Sequence, residues 1–182
     1  MAKTVKKEEK QSFEELVAEL NKKFAGKEKE DYFDVSTGSM GLDWALGGGV
    51  RSGRITEIRA WEGAGKTTVC LHIIAEAQRK GLKVAYVDAE HALDEKYARS
   101  IGVNWEALLP TLFQPSCGED AFAYGEELIK SGELDVIIFD STSGMIPKGQ
   151  VEGEVGSSSI GKHAMLFSKE MPKINAFVAQ LS

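Results

Sequence analysis

Ala60-Trp61-Glu62-Gly63-Ala64-Gly65-Lys66-Thr67 decides the reading of this chain. The stretch follows the phosphate-binding pattern G-x-x-x-x-G-K-[ST] everywhere except its first position, where Ala60 adds one methyl group. Gly63 and Gly65 let the loop turn successive backbone N–H groups toward one point, which makes an anion nest. Before the loop, Arg54 to Arg59 reads as a strand. After it, Thr67 to Lys80 reads as a helix, with Val69, Cys70, Ile73, Ile74 and Ala77 on its buried face. The positive end of that helix faces the nest. The expected contacts of ATP are therefore Ala60, Trp61, Glu62, Gly63, Ala64, Gly65, Lys66, Thr67 and Thr68. Lys66 would reach the β- and γ-phosphates, and the Thr67 hydroxyl would hold Mg²⁺.

A site of this kind needs acidic groups from neighbouring strands. Leu134 to Phe139 is apolar apart from Asp135 and ends in Asp140. A carboxylate at the C-terminal end of a parallel strand lies at the ligand edge of an α/β sheet. Asp140 is thus the expected Walker B acid, acting on Mg²⁺ through water. Lys83 to Asp88 ends the same way and runs into Ala89-Glu90-His91. Glu90 is the expected general base, orienting the attacking water; Asp88 reads as a turn group and His91 as a structural polar residue.

Working outward, strands and helices alternate. Asp94 to Ile101 reads as a helix, Thr111 to Phe113 as a short strand, and Glu119 to Ser131 as a helix with Ser116 and Glu119 in capping-box spacing. A long loop follows Asp140, then a helical segment from about Gly161. This alternation predicts an α/β fold with a mostly parallel sheet flanked by helices. Upstream, Ser12 and Glu15 have capping-box spacing, and Phe13, Leu16, Val17, Leu20 and Phe24 form one apolar stripe, with Gly26 as the stop. Residues 1–11 read as a charged, disordered tail and 27–31 as a charged connector. Tyr32 to Val35 reads as a short strand, and Leu42–Leu46 as a helical turn before Gly47-Gly48-Gly49. The domain division is 1–35 for tail, helix and strand, and 36–182 for the ATPase core.

The totals set limits. The 182 residues suffice for one domain with a sizeable core; 42% are hydrophobic and 27% charged, as in soluble globular chains. No apolar run reaches membrane-spanning length, and Met1 to Lys10 is too charged for a signal peptide, so a cytoplasmic location is expected. The net charge of −6 argues mildly against nonspecific nucleic-acid binding. Cys70 reads as a core residue and Cys117 as a plain thiol near a helix start. Trp44 and Trp105 read as packing residues.

Several separate blocks resemble bacterial RecA recombinases: Asp88-Ala89-Glu90-His91-Ala92-Leu93-Asp94; Ser36-Thr37-Gly38-Ser39 with Gly41-Leu42-Asp43 and Leu46-Gly47; and Glu152-Gly153-Glu154-Val155-Gly156. The resemblance runs from about residue 12 to the end and covers the N-terminal half of that family's pattern. It implies that Asp94 and Tyr97 contact the adenine and ribose, although Tyr97 could equally be a core residue. It implies that Ser141 couples the site to DNA. The loop from about Val151 to Gly161 would approach single-stranded DNA through Gly156, Ser157, Ser158, Ser159, Ile160 and Gly161, with Ile160 as an apolar wedge. The helix from Ser12 to Phe24 and the segment Tyr32 to Val35 would pack on the next subunit of a filament.

Three positions depart from the family: Ala60, Met165 where a basic residue is usual near DNA, and Pro172 where another is common. Pro172 is expected to kink or break its helix near Glu170–Met171. The family's core also continues past Ser182 with a strand that lies between the phosphate-loop strand and the Walker B strand. The expectation is an incomplete core, poorly stable alone, in which both strands lack that shared neighbour. Three function classes follow: an ATP-dependent recombinase of DNA recombination and repair; a non-catalytic piece that binds nucleotide or a full-length recombinase; and another ATPase of the same broad class, such as a hexameric helicase. The Glu90 and Glu152 blocks speak against the third.

Overall fold

The computed structural model describes residues 12–24, 32–151 and 161–181. The tail before Ser12, Gly26, the connector 27–31, the block Glu152 to Gly156 and the loop positions up to Ile160 lie outside the described residues. The chain divides into two compact units, Met1–Glu30 and Asp31–Ser182.

The first unit holds α1 (Phe13–Phe24). Its capping box forms as the spacing predicts: the Ser12 N–H donates to Glu15 at 3.0 Å, and the Glu15 N–H donates to Ser12 Oγ at 3.2 Å. Glu14 and Glu15 in the first turn and Lys22 and Lys23 in the last complement the helix dipole. Phe13, Leu16 and Leu20 are exposed along one side.

The second unit opens with β1 (Asp34–Val35), paired antiparallel with β2 (Val50–Arg51). Between them lies α2 (Met40–Leu46), capped by Ser39. The Ser36-Thr37 block is held by Asp43, which accepts from Ser36 Oγ at 2.5 Å and from the Thr37 N–H and Oγ1 at 2.7 Å each. Those hydrogen bonds hold the Asp43 carboxyl below its usual range. Trp44, expected to pack, is 87% exposed, because α2 buries none of its side chains. β2 was not anticipated: its two residues sit in a Gly-rich stretch with no strand-like alternation.

The centre is a parallel sheet ordered β4–β3–β5, from β3 (Val84–Asp88), β4 (Leu112–Phe113) and β5 (Val136–Asp140). Its two faces build separate clusters. On one, Val84, Tyr86, Val136 and Ile138 meet α3 (Lys66–Arg79), α4 (Glu95–Ile101) and α5 (Trp105–Leu108), with Leu71, Ile74, Ala98 and Leu108 all but fully buried. On the other, Val87, Ile137 and Phe139 meet α6 (Gly118–Lys130) and, after the four-residue α7 (Lys148–Val151), α8 (Lys162–Leu181). Alternation along each strand sorts residues between the layers. Gly125 lets α6 lie close to β5; a Cβ there would stand 2.4 Å from the Phe139 ring.

Three further expectations are corrected. Arg54 to Arg59 forms no strand. No strand among the described residues pairs with it, only Ile58 packs toward the core, and a strand exists only through its ladder. β5 pairs on one side, with β3, and Val136 to Phe139 are half-buried. Second, the N-cap of α6 is the buried Cys117, not Ser116, because Glu119 turns away to accept the Lys148 N–H at 2.7 Å. Third, α8 is not broken at Pro172. Leu166, Glu170 and Ile174, at helical spacing, are buried on both sides of the proline, so packing against α6 outweighs the lost hydrogen bond.

Candidate functional site

The phosphate loop turns where its sequence requires. Gly63 and Gly65 have φ of 71° and 91°, which side-chain-bearing residues adopt only at a cost. α3 begins at Lys66 behind Gly65, and no side chain caps its first N–H groups. Those donors and the helix dipole are therefore free for an anion. Lys66 folds back so that its Nζ donates to the Trp61 carbonyl at 3.3 Å. A polyphosphate offers that amine a stronger, charge-assisted partner. Ala60 to Ala64 are exposed, with the Trp61 ring 91% accessible. The loop is an open surface; a concavity of about 580 Å³ lies apart from it, beside α2 among Met40, Asp43, Trp44 and Glu76.

Thr67 in the first turn of α3 meets Asp140 at the end of β5: the Thr67 hydroxyl donates to Asp140 Oδ2 at 2.6 Å. The sheet brings these two together across 73 positions of sequence. Two adjacent oxygen groups beside an anion nest, one placed to act directly and one through water, suit Mg²⁺, which takes few protein ligands and leaves the rest to phosphate and water.

β3 delivers the second acid. Asp88 pairs in register with Asp140. Asp88 is 2% exposed and works as a turn group: it accepts the Ala92 N–H at 3.3 Å, the Leu93 N–H at 3.2 Å and Gln114 Nε2 at 2.9 Å. That turn presents Glu90 to solvent. Glu90 Oε1 accepts from Ser141 Oγ and, at 3.3 Å, from Ser143 Oγ, and the two serine hydroxyls stand 2.5 Å apart. The general-base candidate is thus fixed to the turn that follows β5, beside the acid on that strand. His91 is structural: its Nε2 faces the Pro115 carbonyl at 3.0 Å and must carry a proton to donate.

Asp94 caps α4 by accepting the Tyr97 N–H at 2.8 Å. Tyr97 is 45% exposed, and its hydroxyl lies 2.9 Å from Thr68 Oγ1. That contact joins α4 to the helix behind the phosphate loop. Of the expected DNA contacts only Gly161 is described, at φ 88° before α8. Met165, on α8, is 68% exposed.

Sequence reasoning missed three site residues. Tyr86, 1% exposed, donates to Asp140 Oδ2 at 2.6 Å. Burial, and then that hydrogen bond, push its phenol well above the usual range. Its signal was a hydroxyl inside an otherwise apolar strand. Ser143 and Gln114 gave none, because each acts through the tertiary position of a loop. Cys70 beside this cluster is pushed up to about 12, by burial first and then by the Asp140 charge. No helix among the described residues is long and apolar enough to cross a membrane.

A family model described as the RecA N-terminal domain matches residues 1–182. Among curated relatives, Protein RecA of Paramagnetospirillum magneticum is 50% identical over 147 residues, which is 80% of this chain and 40% of that protein. Protein RecA of Gluconobacter oxydans is 49% identical over 147 residues, 80% of this chain and 42% of the relative. That of Rickettsia bellii is 49% identical over 149 residues, 81% and 43%. The chain spans about two fifths of the length of the curated relatives it matches.

Proposed function

The chain belongs to the RecA family, and from that membership we propose that it carries the nucleotide site of an ATP-dependent recombinase that binds single-stranded DNA in recombination and repair. The observation that carries this reading is the 2.6 Å contact between Thr67 and Asp140. It joins the phosphate-loop helix to the acidic strand end, a union that a chance Gly-rich turn would not need.

The residues divide the work. The N–H groups of Glu62 to Thr67 cradle the phosphates, and Lys66 moves from the Trp61 carbonyl to the β- and γ-oxygens. Thr67 would hold Mg²⁺ directly, with Asp140 acting through water. When bound, the ion neutralises charge on the phosphates. Glu90, held by Ser141 and Ser143, orients the attacking water, and Tyr97 with Asp94 flanks the base and ribose. Gly156, Ser157, Ser158, Ser159, Ile160 and Gly161 contact single-stranded DNA, through backbone and apolar contacts that give weak sequence preference. Ser141 touches Glu90, which supports its proposed role in coupling DNA to hydrolysis. The exposed Phe13, Leu16 and Leu20 of α1 support a filament in which this helix packs on the next copy. Residues 1–35 would then serve assembly and 36–182 the ATPase core. The absence of a long apolar helix among the described residues is compatible with action in the cytoplasm.

The test is ATP hydrolysis by the purified chain with and without single-stranded DNA, beside Lys66→Ala. DNA-stimulated turnover lost in the variant is expected. A folded chain that binds no ATP, or one whose ATP binding survives Lys66→Ala unchanged, would sink the reading.

A further inference from the structure

We infer that Tyr86 is a positioning residue for the divalent cation, acting through Asp140 and not through any contact with the nucleotide. The inference deepens the ATP-site reading above and rests on it.

Tyr86 pairs with Ile138, so it lies one two-residue step before the Asp88–Asp140 pair and on the same face of the sheet. That face looks onto α3. A buried tyrosine hydroxyl must find a partner. Here the partner is Asp140 Oδ2, the same oxygen that accepts the Thr67 hydroxyl, each at 2.6 Å. One oxygen therefore ties β3, β5 and the first turn of α3 together. With Oδ2 held by two donors, the carboxylate cannot rotate about its Cβ–Cγ bond without breaking both. Oδ1 is left in a fixed direction for a cation-bound water.

A tyrosine that merely satisfied its hydroxyl could do so at any acceptor. Taking the oxygen that the phosphate-loop threonine also uses makes it part of the cation's outer shell. Outer partners of this kind typically change metal affinity by about 10–100-fold when removed. Tyr86 stands one shell further out than a ligand's direct partner, so an effect of about fivefold is expected. The ring itself packs in the core, and Tyr86→Phe removes only the hydroxyl.

The experiment measures binding of a fluorescent ADP analogue to the full chain as Mg²⁺ is varied. Wild type, Tyr86→Phe, Asp140→Asn and the double variant are compared. Tyr86→Phe should raise the Mg²⁺ concentration for half-maximal binding about fivefold and leave binding in EDTA unchanged. In the Asp140→Asn background the same change should have no effect. An unshifted Mg²⁺ curve in Tyr86→Phe overturns the inference and leaves the ATP site standing. So does an equal shift in both backgrounds, which would mark a packing effect. A wild-type chain that binds no nucleotide overturns the ATP-site reading and this inference together. One measurement needs no variant: the Tyr86 hydroxyl proton should be visible by NMR and should move when Mg²⁺ joins the nucleotide complex. A signal that stays in place overturns the inference even if Tyr86→Phe fails to fold.

Discussion

Replacing Asp88 by Asn should loosen the turn that carries Glu90 while leaving the phosphate loop intact. Asp88 is all but fully buried, and its two oxygens serve three donors: the N–H groups of Ala92 and Leu93 and the amide of Gln114. Asn keeps one acceptor oxygen and replaces the other by an NH₂ group that faces a donor. If the oxygen takes the Oδ2 place, the Leu93 and Gln114 bonds survive and the Ala92 N–H loses its acceptor. A hydrogen bond to a charged group is worth about 1.5–3 kcal/mol, and an orphaned buried donor costs about 1–3 kcal/mol. The two backbone bonds are long, which favours the low end, so a loss of about 2–3 kcal/mol is expected. For a unit of this size that lowers Tm by about 5–10 °C. Thermal melts by circular dichroism give the total, and amide exchange by NMR gives the location: Ala92 should lose protection first. On the proposed function, nucleotide should still bind and any hydrolysis should fall. A melt within about 1 °C of wild type, with Ala92 still protected, would refute the view that Asp88 holds this turn.

Alkali should destabilise the fold through Cys70, whose thiol is pushed from 9.0 up to about 12. Between those values the unfolded chain has lost a proton that the folded chain keeps, so stability falls as pH rises, by up to about 1.4 kcal/mol per pH unit. Tyr86 acts in the same direction from 10.0 upward; urea midpoints at about pH 8 and pH 10.5 should converge in Cys70→Ala relative to wild type. Gly125→Ala should cost about 1–3 kcal/mol by overpacking α6 on the Phe139 ring, and Phe139→Leu in the same chain should recover part of it in denaturant titrations. Pro172→Ala should stabilise by about 1–3 kcal/mol, because α8 already passes through this position and only the hydrogen bond to the Ser168 carbonyl is missing; a lower Tm would mean that the proline fits its surroundings better than a helix former does.

The phosphate loop, the strands ending in Asp88 and Asp140, and the helices α1, α3, α4, α6 and α8 were legible because each is written locally. Glycines at fixed spacing, an apolar run ending in a carboxylate and a 3.6-residue stripe need no knowledge of the rest of the chain. What failed was whatever depends on a distant partner. Arg54 to Arg59 looks like a strand, but pairing is a property of two segments. Trp44 looks like core, but α2 offers it no surface to meet. Ser116 and Glu119 have the right spacing for a cap, yet the N–H of Lys148, far along the chain, takes the glutamate. Tyr86 and Ser143 enter the site only because folding sets β3 beside β5 and the turn after β5 beside Glu90. Local chemistry predicted which groups could act, and the tertiary fold decided which ones meet.

The alternation of residues across the sheet couples proofreading of the fold to function. On β3 and β5, even-numbered side chains such as Val84, Tyr86, Val136 and Ile138 look toward the α3 layer and odd-numbered ones such as Val87, Ile137 and Phe139 look toward α6 and α8. A slip of β5 by one residue would turn Asp140 toward an apolar layer and deliver Phe139 to Thr67. Such a chain could keep much of its helix content and still be unable to close the Thr67–Asp140 contact. If the chain binds nucleotide as proposed, that affinity is also an assay of strand registration, and misregistered molecules would appear as a fraction that folds but does not bind.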